Sequence, residues 1–194
     1  MAKNKGVLIV ISGPSGAGKG TICKALLEKH KDIHLSVSAT TRNPRQGEVH
    51  GINYYFLNKD EFLKKVEEDD FLEWAEVYGN CYGTPKSNVQ ELLDSGKDVI
   101  LEIDIQGALK VKENTEEGVF IFILPPSMEE LKQRIINRGS ETPESLMRRF
   151  NSAYQEINYI SKYNYAVVND TVENAVNKIE NILAAEKCRV DRIQ

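Results

Sequence analysis

Residues 6–21 read Gly6-Val-Leu-Ile-Val-Ile-Ser-Gly-Pro-Ser-Gly-Ala-Gly-Lys-Gly-Thr21, and this stretch decides the fold of the chain. It opens with a short apolar run, residues 6–12, which is typical of a β-strand buried on both faces. Residues 13–21 then fit the pattern G-x-x-x-x-G-K, in which backbone N–H groups surround phosphate oxygens and lysine reaches the β- and γ-phosphates. The stretch predicts a strand, a phosphate-binding loop and a helix in that order, with an ordinary glycine turn as the alternative.

The rest of the chain extends this pattern outward. Further buried strands are predicted at residues 98–103, 119–124 and 165–169. Helices are predicted at residues 19–30, 59–69 and 171–190. Two more helices open at Ser127, where Glu130 completes a capping box, and at Pro143, a proline in the first helical position. Apolar strands that alternate with helices indicate an α/β fold, with a central parallel sheet covered on both faces in three layers.

Residues 36–82 depart from this alternation. They contain several glycines, stretches of alternating polar and apolar residues, and only one short helix. This composition predicts a small mixed β-rich insertion between two strands of the main sheet. Ligands of open α/β sheets bind beyond the carboxyl ends of the strands, so an insertion at this place can cover a ligand.

Composition excludes several classes of function. The chain has 194 residues and a net charge of −4, which argues against a nucleic-acid-binding surface. The three cysteines, Cys23, Cys81 and Cys188, do not form a disulfide framework and favour a reducing compartment. No run approaches the roughly 20 apolar residues of a membrane span, and the first apolar run is too short for a signal peptide. We therefore expect a cytoplasmic protein without a membrane partner; composition leaves its oligomeric state open.

A pair of arginines opens the insertion. Arg42 and Arg45, separated by Asn43 and Pro44, offer two forked guanidinium groups that can clamp one dianionic phosphate. Alone this pattern is weak, because exposed arginines are usually solvated. Beside a phosphate-binding loop it predicts a second anion site.

The segment around these arginines, Ser36-Val-Ser-Ala-Thr-Thr-Arg-Asn-Pro-Arg-Gln-Gly-Glu-Val-His-Gly-Ile-Asn-Tyr54, resembles the signature of the guanylate kinase family. Six further segments resemble that family and follow in its order: Phe71-Leu-Glu-Trp-Ala-Glu76, Tyr78-Gly-Asn-Cys-Tyr-Gly-Thr84, Leu101-Glu-Ile-Asp-Ile-Gln-Gly107, Ile123-Leu-Pro-Pro-Ser127, Arg138-Gly-Ser-Glu-Thr142 and Val168-Asn-Asp170. The resemblance extends from about residue 6 to about residue 187. It implies a three-layer P-loop fold, with the insertion as the site of the nucleoside monophosphate and a short lid. It also implies ATP-dependent phosphorylation of GMP and dGMP in purine metabolism, with Mg²⁺ as cofactor.

The resemblance divides residues 1–194, a single domain, into three parts: a core (about 1–35, 85–133 and 150–194), a GMP-binding subdomain (about 36–84) and a lid (about 134–149). It assigns the GMP phosphate to Arg42, Arg45, Tyr54 and Tyr82, although core packing is an equal alternative for either tyrosine alone. Glu73 matches the residue that reads guanine, and its carboxylate can accept from N1–H and the 2-amino group together. Because adenine lacks both donors, such a site can discriminate by roughly 10⁴–10⁵.

Four more residues complete the expected GMP site: Ser38, Thr84, Glu102 and Asp104. Ser38 and Thr84 match positions that contact O6 of guanine, and Thr84 is also a candidate cap for a helix that begins at Pro85. Asp104 follows a buried strand, where it can contact the base or organise Mg²⁺ through water. Glu102 stands where many family members have aspartate, which leaves its role open.

The expected ATP site and catalytic group follow from the same resemblance. ATP binding is assigned to Gly13, Pro14, Ser15, Gly16, Ala17, Gly18, Lys19, Gly20, Thr21, Arg134, Arg138 and Asn169. Catalysis is assigned to Lys19, Arg42, Arg138 and Arg149, with Arg148 as an alternative to Arg149. Phosphoryl transfer spreads charge over equatorial oxygens, so positive groups and in-line alignment matter more than a strong base.

One departure concerns the metal. The family's usual Ser/Thr after the loop lysine is Gly20 here, and Thr21 comes one residue later. A shift of one residue turns a helical side chain by about 100°, so we expect Mg²⁺ to be held mainly by ATP and water, with Thr21 a possible ligand.

Three other readings compete with GMP phosphorylation. A nucleoside monophosphate kinase of different base specificity is opposed by Glu73. A catalytically silent module that binds phosphopeptides is opposed by the presence of Lys19. A regulatory GTPase is opposed by the absence of an Asn-Lys-x-Asp motif. The expected partners are therefore ATP and GMP.

Overall fold

The computed structural model describes residues 5–77, 79–115, 117–137 and 143–192, without the side chains of residues 137, 143–146, 148 and 149. The strands in chain order are β1 (Leu8–Ser12), β2 (Ile33–Leu35), β3 (Ala39–Thr40), β4 (Tyr55–Phe56), β5 (Phe71–Val77), β6 (Asn80–Pro85), β7 (Asp98–Glu102), β8 (Val119–Leu124) and β9 (Tyr165–Val168). The helices are α1 (Lys19–Lys29), α2 (Lys59–Glu67), α3 (Lys86–Asp94), α4 (Ile105–Asn114), α5 (Met128–Asn137), α6 (Pro143–Glu156) and α7 (Val172–Glu186), with short 3₁₀ helices at Ile157–Lys162 and Val190–Arg192.

The central sheet is parallel throughout and has the order β2-β7-β1-β8-β9. All five residues of β1 are buried, as its unbroken apolar sequence predicts. Parallel pairing brings the carboxyl ends of β1, β7, β8 and β9 to one edge of the sheet. The phosphate loop and the segments after β7 and β9 therefore converge there, where ligands of such sheets bind.

Each face of the sheet carries its own apolar core. Ile9 and Ile11 pack on one face with α1 and α7, while Leu8 and Val10 pack on the other with α3 and α4. The alternation follows from the two-residue period of a strand. The predicted arrangement of one sheet between two helical layers is confirmed.

The insertion is a small unit with a mixed sheet, in the order β4-β3-β6-β5. β3 runs parallel to β4 and antiparallel to β6, and β6 is antiparallel to β5. Its own core consists of Ala39, Phe62, Phe71 and Cys81. The predicted mixed β-rich insertion is confirmed, and Cys81 is one of its packing residues.

Several element boundaries differ from the sequence predictions. The edge strand β2 was not predicted, because only Ile33 of its three residues is buried. Helix α7 ends at Glu186 instead of residue 190, and α2 ends at Glu67, shortly before Asp69 adopts a left-handed φ of 55°. In the part of the chain that the structure describes, no helix combines the length and apolar character needed to cross a membrane.

Candidate active site

The phosphate loop follows β1 and adopts a conformation that requires glycine. Gly13, Gly16 and Gly18 have φ values of 140°, 90° and 96°. A Cβ atom on Gly18 would lie 2.3 Å from Nδ2 of Asn169, which donates a 2.8 Å hydrogen bond to the carbonyl of Ala17. The loop therefore packs closely against Asn169 at the end of β9. The alternative of an ordinary glycine turn does not account for this packing.

Lys19 is folded back onto the phosphate loop. Its Nζ donates to the carbonyl oxygens of Gly13 at 2.5 Å and Pro14 at 3.2 Å. Burial lowers the pKa of Lys19, and nearby carboxylates, Glu102 first among them, oppose that shift. The structure thus places a partly desolvated cation at the centre of the loop.

The two departures from the family pattern, Gly20 and Glu102, meet in space. A Cβ atom on Gly20 would lie 3.2 Å from Oε1 of Glu102. Desolvation raises the pKa of Glu102, and Lys19 counteracts it. Thr21 is exposed and lines a different cavity. Glu102, not Thr21, therefore lies beside the position where the usual hydroxyl residue would stand.

A cavity of about 510 Å³ opens on one side of the loop. Arg134, from α5, reaches across it and donates to the carbonyls of Ala17 at 3.4 Å and Asn169 at 3.2 Å. Thr171, the N-cap of α7, also lines this cavity and was not among the predicted residues. The structure thus brings Arg134 and Asn169, which the sequence analysis assigned to ATP, together beside the loop.

A second cavity, of about 310 Å³, lies between the insertion and α4. Five predicted residues line it: Ser38, Tyr54, Glu73, Tyr82 and Asp104. Helix α4 adds Gln106, Gly107 and Lys110, which the sequence reasoning missed, although their spacing places them on one face of a helix.

Glu73 is the half-buried carboxylate of this second cavity. Its Oε1 accepts a 2.8 Å hydrogen bond from the hydroxyl of Thr84. Burial raises the pKa of Glu73, and the Thr84 bond opposes that shift. The predicted cap by Thr84 is wrong: Pro85 is the N-cap of α3 without a side-chain bond, because the Thr84 hydroxyl is engaged with Glu73.

Asp104 lies opposite Glu73 and caps α4. Its Oδ1 accepts from the backbone N–H of Gly107 at 2.7 Å. A Cβ atom on Gly107 would lie 3.2 Å from Oε2 of Glu73 and 3.4 Å from Oδ1 of Asp104. The missing side chain at Gly107 lets the helix start approach both carboxylates, which together form an acceptor-rich wall.

Beside this cavity lie the paired arginines. The Arg42 guanidinium stands 5.5 Å from the ring centroid of Tyr54 and forms a two-point ion pair with Glu48 at 2.9 and 3.0 Å. The ring of Tyr82 meets that of Tyr54 edge to face at 6.2 Å. Arg45 is exposed, and its backbone forms two hydrogen bonds with Glu48: its N–H donates to Oε2 at 2.7 Å, and its carbonyl accepts from the Glu48 N–H at 3.0 Å. Glu48 was also missed, although its charge, six residues after Arg42, was a signal.

The remaining predicted arginines lie partly outside the described residues. Arg138 falls outside them altogether, while Arg148 and Arg149 lie on α6 with side chains that are not described. The same helix ends in Glu156, a half-buried carboxylate that no sequence pattern indicated. Burial raises the pKa of Glu156, and Lys19 and the backbone N–H of Ser15 oppose it. Glu156 therefore lies beside the phosphate loop.

Comparison with known proteins gives consistent matches over nearly the whole chain. The family model described as guanylate kinase matches residues 5–186. The chain is 80% identical over 191 residues to a guanylate kinase of Clostridium perfringens (strain SM101 / Type A), covering 98% of this chain and 88% of the relative. It is 74% identical over 190 residues to a guanylate kinase of Clostridium acetobutylicum, covering 98% and 90%. The crystal structure of guanylate kinase from Anaplasma phagocytophilum superposes with a TM-score of 0.77 at 40% identity, covering 98% of this chain and 91% of that one.

Proposed function

The chain belongs to the guanylate kinase family, and from this premise we propose that it transfers the γ-phosphoryl group of ATP to GMP or dGMP, which yields ADP and the nucleoside diphosphate. The observation that carries the proposal is the Glu73 carboxylate, held by Thr84 inside the cavity between the insertion and α4. The reaction places the protein in purine nucleotide metabolism, and we assign it to the cytoplasm.

Guanine recognition follows from the acceptors in the second cavity. The free oxygen of Glu73 accepts from N1–H or the 2-amino group of guanine, and Asp104 stands across from it. Adenine offers neither donor and would leave the second oxygen of a partly buried carboxylate without a partner, which is costly. Ser38 and the rings of Tyr54 and Tyr82 complete the acceptor site, and the nearby Arg42 and Arg45 bind its phosphate.

The phosphate loop and the basic residues act on the transferring group. When ATP binds, its phosphate oxygens replace the carbonyls of Gly13 and Pro14 as partners of Lys19. The transition state of phosphoryl transfer is loose, so its stabilisation is electrostatic and no strong base is needed. We assign the ATP base to the cavity of Arg134 and Asn169, residues 36–84 to the GMP-binding subdomain, and residues 134–149 to a lid that contributes Arg138 and Arg149.

The loop environment fits Mg²⁺ held with few protein ligands. Glu102 presents a carboxylate next to Gly20, where Mg²⁺ accompanying ATP can be held through water. Mg²⁺ held there would neutralise negative charge on the phosphates of ATP. Thr21 faces the other cavity, which makes it the weaker candidate.

A single assay tests the proposed function. ADP release is measured with ATP, Mg²⁺ and GMP, dGMP, AMP, CMP or UMP as the acceptor. We expect turnover with GMP and dGMP, and a kcat/KM for AMP lower by roughly 10⁴. In Glu73→Gln the ratio of kcat/KM for GMP to kcat/KM for AMP should fall sharply. In the control Glu76→Gln, a change at a nearby exposed position, this ratio should stay as in the wild type. Preference for another base, or an unchanged ratio in Glu73→Gln, would contradict the proposal.

A further inference from the structure

Arg42 has most of its hydrogen-bonding capacity already committed within the protein. Of its five N–H donors, one on Nη1 binds the carbonyl of Asn43 at 2.7 Å and the other binds Oε2 of Glu48 at 2.9 Å. One on Nη2 binds Oε1 of Glu48 at 3.0 Å. The donors that Asn43 and Glu48 leave are the Nε–H and the second N–H of Nη2, which together form one side edge of the guanidinium fork, and the side chain of Tyr82 also hydrogen-bonds to Arg42.

The rest of the Arg42 side chain is also fixed. Its guanidinium lies 5.5 Å from the Tyr54 ring and 5.8 Å from the Phe56 ring. Its own backbone N–H donates to the hydroxyl of Thr40 at 3.2 Å. Glu48 is held too, because the same Oε2 accepts from the backbone N–H of Arg45 at 2.7 Å. The Glu48 carboxylate therefore bonds to both Arg42 and Arg45 and stabilises the loop of residues 42–48.

We propose that Glu48 is a positioning residue for the acceptor phosphate, and that it acts by holding the Arg42 guanidinium in place beside Tyr54 and Tyr82, with its side edge left to bind the phosphate; this inference rests on the proposed function. A side edge of two parallel N–H groups matches two oxygens of a phosphate. A long arginine side chain that is fixed before binding loses less conformational entropy when the phosphate arrives.

The charges of the neighbouring groups are compatible with this role. Glu48 is paired with Arg42, and Arg45 forms no side-chain hydrogen bond or ion pair with the described part of the chain, so a positive charge remains for the dianion. The Arg42 hydrogen bond lowers the pKa of Glu48, which keeps the carboxylate ionised at neutral pH. A carboxylate is needed because the amide of a glutamine would turn an N–H donor toward a guanidinium that only donates.

The test is Glu48→Gln, with Glu68→Gln as the matched control. Glu68 is an exposed residue of the same insertion, and its Oε1 lies 3.8 Å from Nζ of Lys64. For Glu48→Gln we expect KM for GMP and the calorimetric Kd of GMP to rise about 10- to 100-fold, with KM for ATP unchanged. The control should match the wild type in all three quantities.

A double-mutant cycle separates positioning from general damage to the insertion. If Glu48 acts through Arg42, then Glu48→Gln adds little to the loss of GMP affinity in Arg42→Ala, and the effects of the two changes are not additive. Additive losses, or a Glu48→Gln variant that binds GMP as tightly as the wild type or more tightly, would overturn the proposal. Glu48→Asp keeps the charge on a shorter side chain and should lose less GMP affinity than Glu48→Gln. It replaces Glu48→Gln in the test if that variant does not fold. A wild-type enzyme without GMP turnover would instead refute the proposed function itself.

Discussion

At Gly107 the absence of one methyl group determines the shape of the acceptor cavity. A Cβ atom there would lie 3.2 Å from Oε2 of Glu73, closer than such contacts normally are. The carboxylate would have to shift by a few tenths of an ångström. Because Gly107 lies in the first turn of α4, an alanine would at the same time favour the helix, by up to about 1 kcal/mol. Substrate binding and stability should therefore respond in opposite directions.

We predict that Gly107→Ala raises KM for GMP about tenfold, since small misplacements in a site cost large factors in rate, while the melting temperature is unchanged or higher. Steady-state kinetics and a thermal melt measure the two effects. Glu113→Gly, at an exposed position of the same helix, is the control: it should lower stability by up to about 1 kcal/mol and leave KM for GMP unchanged. A Gly107→Ala enzyme with normal KM would show that Glu73 has room to move.

At the scale of a single element, α5 contacts both the phosphate loop and the residue that follows β9. Ser127 caps this helix by accepting from the N–H of Glu130 at 3.1 Å. Two turns after the cap, Arg134 contacts the carbonyls of Ala17 and Asn169. The helix thereby positions a cation at the wall of the cavity that we assign to ATP.

We predict that Arg134→Met raises KM for ATP by about tenfold, because hydrogen bonds to a charged group contribute about 1.5–3 kcal/mol, and leaves KM for GMP unchanged. Lys132→Met removes an exposed cation from the same helix and should change neither constant. Both constants come from one set of steady-state measurements. Equal effects on ATP and GMP would instead indicate that α5 supports the fold and not the donor site.

The same elements show how far sequence carries the interpretation. Buried runs such as β1 and β8 were predicted because their apolar residues are continuous, and β8 has the predicted bounds. The edge strand β2 gave no such signal, since it is short and half-exposed. Sequence identified Gly20 and Glu102 as two separate departures from the family. Their proximity could not be predicted, because Gly20 lies on α1 and Glu102 ends β7. The two positions come together only because β1, which precedes the phosphate loop and α1, pairs with β7.

At the scale of the whole molecule, the chain keeps several partly desolvated carboxylates around its nucleotide sites. Burial raises the pKa of Glu73, Glu102 and Glu156 alike. A raised carboxyl pKa means that the folded protein binds more protons than the unfolded chain between pH 4.5 and the raised value. The free energy of unfolding therefore falls as pH rises through that window, and above it the full loss of stability from these carboxylates is present. Functional sites commonly retain charges that lower the stability of the free protein.

The clearest test of this cost is Glu156→Gln, because Glu156 is half-buried and does not line the acceptor cavity. We predict that the free variant melts at a higher temperature than the wild type at pH 7.5, because the neutral amide carries no charge that burial would desolvate. The difference should vanish near pH 4.5, where the wild-type carboxyl becomes neutral. Glu68→Gln, an exposed change, should stay within about 0.5 kcal/mol of the wild type at both pH values. If Glu156→Gln melted lower than the wild type at pH 7.5, the attraction of Lys19 and the Ser15 N–H would outweigh desolvation, and the carboxylate would stabilise the free fold.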